Sequence, residues 1–134
     1  MPLYHIQPRE LPQVWDVVAP LLQKAIDLDP ESTSTQHVNY TIRTGSVHLL
    51  VWEEEDVITG AATVSFTDYP TERVAHVHLM GGKGIVKEHV FKHAQDWMRA
   101  NGATKAQCWC KDNLVPMYEK MGLDRTHNVM RIDL

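Results

Sequence analysis

Residues 73–100 read RVAHVHLMGGKGIVKEHVFKHAQDWMRA, and the parsing of this stretch decides the fold. Arg73–Met80 has the β-rich composition of a strand. Gly81, Gly82, Lys83 and Gly84 follow as a turn. Beyond it, Val86, Val90, Ala94, Trp97 and Met98 recur at helical spacing, a stripe that one helix face can bury. Asn101 and Gly102 end that helix, because glycine takes the left-handed conformation at a helix C-terminus without a Cβ clash. Lys105–Cys110 supplies the next strand, so a helix separates the late strands.

Upstream, Leu3–Ile6 reads as a short edge strand. Leu11, Trp15, Val18, Leu22 and Ala25 make a helical stripe that Val14, Leu21 and Ile26 widen. Pro20 lies inside the stripe and predicts a kink or break. Asp27–Thr35 is a polar loop, and Thr35–Thr44 is a second helix, capped by Ser34 and stopped by Gly45. Val47–Trp52 and Val57–Phe66 form a hairpin around the acidic turn Glu53–Asp56. Gly60 and the two alanines after it predict close packing or a bulge. Downstream, Leu114–Met121 is a short helix stopped by Gly122, and Arg125–Leu134 reads as a last strand. The order predicts one α/β domain over 1–134, a mixed sheet covered by helices.

Composition narrows the function. The chain has 134 residues, 43% hydrophobic and 22% charged, which is globular and argues against disorder. Its formal net charge is −4 with no basic block, so a nucleic-acid partner is not expected. No apolar run is long enough to span a bilayer, and the N-terminus lacks the layout of a signal peptide. Cys108 and Cys110, two apart, do not suit an ordinary disulfide and fit a reducing, cytoplasmic setting.

Four groups of residues can carry chemistry. In LMGGKG, Leu79–Gly84, glycines let backbone approach an anion at a helix start, or simply make a tight connection. His76 and His78 share a strand face, as a general base near neutral pH or as two half-exposed histidines. His89 and His93, one helical turn apart, lie off the apolar stripe, and no set completes a metal site, so none is expected. Tyr118, in NLVPMYEKMGL, can donate a proton to a leaving thiolate or sit as a core-edge aromatic. Cys108, Cys110, Trp52, Trp97 and Trp109 are expected in the core.

Together these pieces resemble the GNAT superfamily of acetyl-CoA-dependent N-acetyltransferases. The resemblance follows the element order over nearly the whole chain. It is most specific in the strand, glycine turn, helix, AQCWC strand and NLVPMYEKMGL, which looks like the family's Asn…Tyr-Glu-Lys-x-Gly-Phe run with Leu123 for Phe. It implies a mostly antiparallel mixed sheet with helices on both faces, and acetyl-CoA as co-substrate. Tyr118 would protonate the coenzyme A thiolate, and Asn113 would lie near the pantetheine arm. Leu79, Gly81, Gly82, Lys83, Gly84 and Ile85 would bind the coenzyme, its pyrophosphate on the amides around Gly82 to Ile85, with an N–H near Leu79 polarising the thioester carbonyl. The family's Q/R-x-x-G-x-G/A motif matches at Gly82 and Gly84 but has Leu79 at its polar position, and the usual longer approach to it is missing.

AHVHL, Ala75–Leu79, is similar to the His-x-His strand of serotonin-type arylalkylamine acetyltransferases, which implies a base role for His76 and His78. The WDVVAPLLQKAI helix and the GG turn look like small GNAT-like proteins of tailed phages. The expected activity is acetyl transfer to a primary amine of a small molecule or protein. The departure at Leu79 keeps a second expectation open, a non-catalytic GNAT-fold binding protein. A last strand at Arg125–Leu134 could also pair across a homodimer.

Overall fold

The computed structural model describes residues 3–28, 33–84 and 87–134, with the Glu88 side chain left out of the description. Five strands lie in the order β1 (Leu3–Ile6), β2 (His48–Glu54), β3 (Val57–Asp68), β4 (Arg73–Gly82) and β5 (Lys105–Cys108). The first four pair antiparallel, and β5 runs parallel to β4. A parallel pair needs a crossover, which here is the helix Glu88–Ala100. The other helices are Leu11–Ile26, Thr35–Arg43 and Val115–Lys120; in chain order the four are α1, α2, α3 and α4.

Alternation along the strands builds two cores. Leu49, Val51 and Ala61 face α1 and α2, where Leu11, Val18, Leu22, Ile26, Val38 and Ile42 are buried. Leu50, Trp52, Ala62, Val64 and Ala75 face the other way and meet Val90, Ala94 and Met98 of α3. Helices therefore flank both faces of a mixed, mostly antiparallel sheet, as the resemblance implies. Ser34 caps α2 by accepting the His37 N–H at 3.2 Å.

Several expectations change. Pro20 does not break α1, which runs as one helix. Pro20 is exposed, so the carbonyl it leaves without an N–H partner lies on a side that water can reach. The strand does not end before the glycines: β4 continues through Gly81 and Gly82, and α3 begins only at Glu88. Gly81 is required by α1, since a Cβ there would overlap the Leu21 carbonyl. Gly82 sits at φ +97, and a side chain there would meet the Thr59 carbonyl as well as backbone strain.

β5 stops at Cys108, so Trp109 and Cys110 are outside it and exposed rather than in the core; Cys108 is half-buried. Trp97 also only borders the core. The expected last strand is absent: residues 123–134 carry no regular structure, and Val129, Met130, Ile132 and Leu134 are exposed. Apolar alternation becomes a strand only where a sheet edge and a core receive it, and this segment meets neither. Val86, expected in the α3 stripe, lies outside the described residues, as does part of the Asp27–Thr35 loop.

Candidate active site

The site grows from an irregularity in β4. Val64 pairs with Val77 and Thr63 with Leu79, so His78 is an extra residue with no ladder partner, a β-bulge. The bulge turns Leu79 toward the core under α1 and α2, while Met80 joins the one under α3. His78 stays on the face of His76, with ring centroids 4.6 Å apart and edge-on. Its Nε2 is 2.6 Å from the Ser65 hydroxyl of β3. His76 is buried; Gln107 Nε2 of β5 lies 3.3 Å from its Nδ1, and the Trp109 ring packs edge-on at 5.0 Å.

His76 is buried and His78 exposed, and the desolvation each suffers sets its charge. Desolvation, with the neighbouring His78 second, pushes His76 down to about 4. Desolvation also lowers His78. Both imidazoles are thus neutral near pH 7.

The second irregularity is a divergence of strands. β5 pairs with Val74–Val77 and ends opposite Val77 at Cys108, while β4 runs on to Gly82. The edge of β4 beyond Val77 is therefore unpaired on its β5 side among the described residues, and its backbone groups there are open to a ligand. At the mouth of this divergence Tyr118 of α4 stands beside the Cys108 thiol. Burial first, then the cysteines, pushes the phenol up to about 12, and burial pushes the thiol up to about 11. Tyr118 thus keeps its proton near neutral pH.

The glycine segment is held from the sheet. Trp52 Nε1–H donates to the Lys83 carbonyl at 2.6 Å, and the Lys83 N–H donates to the Thr59 carbonyl at 2.9 Å. Thr59 is itself the extra residue of a second register shift, between β2 and β3. Lys87 N–H donates to the Gly84 carbonyl, and the Lys87 ammonium pairs with Glu54 at 2.8 Å. That ammonium holds the Glu54 carboxyl below its usual range. No side chain caps α3 at its N-cap residue Lys87.

The sequence-expected residues therefore divide. His76 and His78 stand together, beside Trp109. Tyr118 stands on the register neighbour of Val77. Asn113 is exposed in a 3-10 turn, Asp112–Leu114. Gly81, Gly82, Lys83 and Gly84 form the end of β4 and its exit, Leu79 packs into the core, and Ile85 lies outside the described residues. Ser65, Gln107 and Cys108 escaped the sequence reading as site residues. Thr63 and Ser65, polar at alternate positions of a buried strand, were the available signal.

The chain matches no protein-family model and no curated protein. Solved structures do resemble it. A probable acetyltransferase superposes with a TM-score of 0.71 at 19% identity, covering 100% of this chain and 97% of that one. The fold is that of the GNAT acetyltransferases. A predicted acetyltransferase from Clostridium acetobutylicum, solved with acetyl-CoA, has a TM-score of 0.65 at 13% identity over 98% and 95% of the chains. An aminoglycoside acetyltransferase from an uncultured soil metagenomic sample, in complex with sisomicin, has 0.68 at 9% identity over 99% and 94%. Among the described residues of this GNAT-fold chain, no helix is long and apolar enough to cross a membrane. No group of three or more His, Cys, Asp or Glu among them could hold a metal ion.

Proposed function

We propose that this chain is an N-acetyltransferase that moves an acetyl group from acetyl-CoA to a primary amine. The observation that carries the reading is the divergence of β4 and β5, with a protonated phenol beside Cys108 on one side and two neutral imidazoles on the other. The pantetheine arm would lie along the open edge of β4, with Asn113 beside it. The pyrophosphate would meet Gly82–Ile85 and the uncapped start of α3, where backbone N–H groups and the helix dipole favour an anion. Lys83 adds positive charge there, while the Lys87 ammonium is already paired with Glu54. An N–H of β4 beyond Val77 would polarise the thioester carbonyl.

The amine nitrogen attacks that carbonyl carbon, the C–S bond breaks, the amine proton goes to a histidine, and Tyr118 returns a proton to the thiolate. His78 suits the base role better than His76, whose burial lowers its proton affinity further. A reducing cytoplasm suits the free thiols Cys108 and Cys110.

A second reading, a GNAT-fold binding protein without catalysis, draws on two facts. Leu79 is turned into the core, and both backbone groups of Lys83 are already bonded within the sheet. Thermal unfolding with acetyl-CoA separates the two readings, since a ligand of the native state raises the melting temperature, by about 2.7 kcal/mol of stability at a hundred times Kd. We expect a rise that Lys83→Glu reduces. Substitution of Gly82 is a poor test, because it would strike Thr59. No shift at millimolar acetyl-CoA would favour the binding protein.

A further inference from the structure

The base in this site needs a lone pair that nothing else holds. His76 lacks one at Nδ1, where the Gln107 amide nitrogen lies 3.3 Å away as a donor. His78 has one side engaged, its Nε2 at 2.6 Å from the Ser65 hydroxyl. The direction of that bond decides what His78 can do. If Ser65 donates, the Nε2 lone pair is occupied and the proton sits on Nδ1. If Ser65 accepts, the proton sits on Nε2 and the Nδ1 lone pair is free.

The contact is built by the backbone. Ser65 lies opposite His76 in the ladder, not opposite His78. The bulge places His78 outside the pairing, where its ring packs against His76 and its Nε2 reaches back to the β3 hydroxyl. Ser65 is half-buried on the strand that supplies the centre of both cores, so its hydroxyl starts from a well-held backbone.

We infer that Ser65 is a positioning residue for His78: its oxygen accepts the Nε2–H, fixes the tautomer, and leaves Nδ1 free to take the proton of the attacking amine. The inference rests on the acetyltransferase reading for its purpose, but the tautomer can be measured without any reaction. It is also what the reading requires, since a Ser65 that donated would leave neither imidazole with a lone pair free of a donor at its bonded nitrogen and a proton placed elsewhere. His76 faces His78 from β4 and Ser65 from β3, so no carboxylate is needed to orient the ring.

The test uses the full chain with nitrogen-15-labelled histidine, and NMR of the imidazole nitrogens near pH 7. We expect His78 to carry its proton on Nε2 in the parent, to become a mixture of tautomers in Ser65→Ala, and to recover in Ser65→Thr, which keeps the hydroxyl. Acetyl transfer to a primary amine should fall about ten- to a hundredfold in Ser65→Ala, in kcat rather than KM, and recover in Ser65→Thr. A His78 protonated on Nδ1 in the parent, or unchanged by Ser65→Ala, would overturn the inference. A parent with the expected tautomer but no transfer to any amine would instead overturn the acetyltransferase reading and leave the placement of His78 standing.

Discussion

The sheet from β1 to β4 and the segment from β5 onward are held by different physics. In the first, Leu49–Trp52 of β2 are buried on both faces, and β1, β3 and β4 each add residues to both cores. In the second, Lys105–Gln107 are exposed, α4 has no fully buried residue, and the chain beyond Gly122 is irregular. The candidate site lies where the two meet. Its histidines come from the packed side, and its phenol from the open side. The proposed site thus draws its proton acceptors from the half with more buried apolar contacts, and local opening costs least in the other half.

The contrast can be broken most forcibly from the packed side. Trp52 is buried, fills the space beside Gly60, and holds the Lys83 carbonyl. Trp52→Ala should cost about 3–5 kcal/mol, read by urea unfolding, and should loosen the glycine segment with it. A loss under about 1 kcal/mol would mean that this core is not what secures the segment.

Acid should sharpen the contrast at the junction. His76 is lowered to about 4 from 6.5, and His78, His5 and His48 are lowered by the same leading cause, burial. The unfolded chain then binds more protons, so the stability these groups contribute is complete above pH 6.5 and is lost as the pH falls toward 4. The melting temperature should fall over this window, and His76→Asn should flatten the fall. An unchanged slope in that variant would place the acid sensitivity elsewhere.

The smallest effect belongs to the open side. Ile132 is 81% exposed, so Ile132→Ser should change stability by less than about 0.5 kcal/mol. A larger loss in the urea midpoint would mean that the segment packs against something, either its own β5 or a second copy.

Much of the packed side was legible. Ser34 and Gly45 bound α2 as their chemistry predicts, and Gly102, at φ +89, ends α3. The acidic hairpin turn holds Glu55 and Asp56 at positive φ, a conformation aspartate tolerates and glutamate rarely adopts. What could not be read depended on a partner distant in sequence. Gly81 looks like part of a loop until α1 is laid across it. Trp109 is apolar enough for a core, but its burial depended on where β5 leaves the sheet. The same holds for Arg125–Leu134, whose alternation had no edge to receive it. In the site, His76, His78 and Tyr118 were legible by residue type, while Ser65 became visible only once the bulge fixed the register.

That bulge has a consequence for how such a protein can change. Because His78 occupies no rung of the ladder, Val77 and Leu79 already face the neighbours they would have if residue 78 were missing. The imidazole rides on the scaffold as a one-residue insertion would. Residue 78 could be gained or lost, and the proposed base with it, without renegotiating either core.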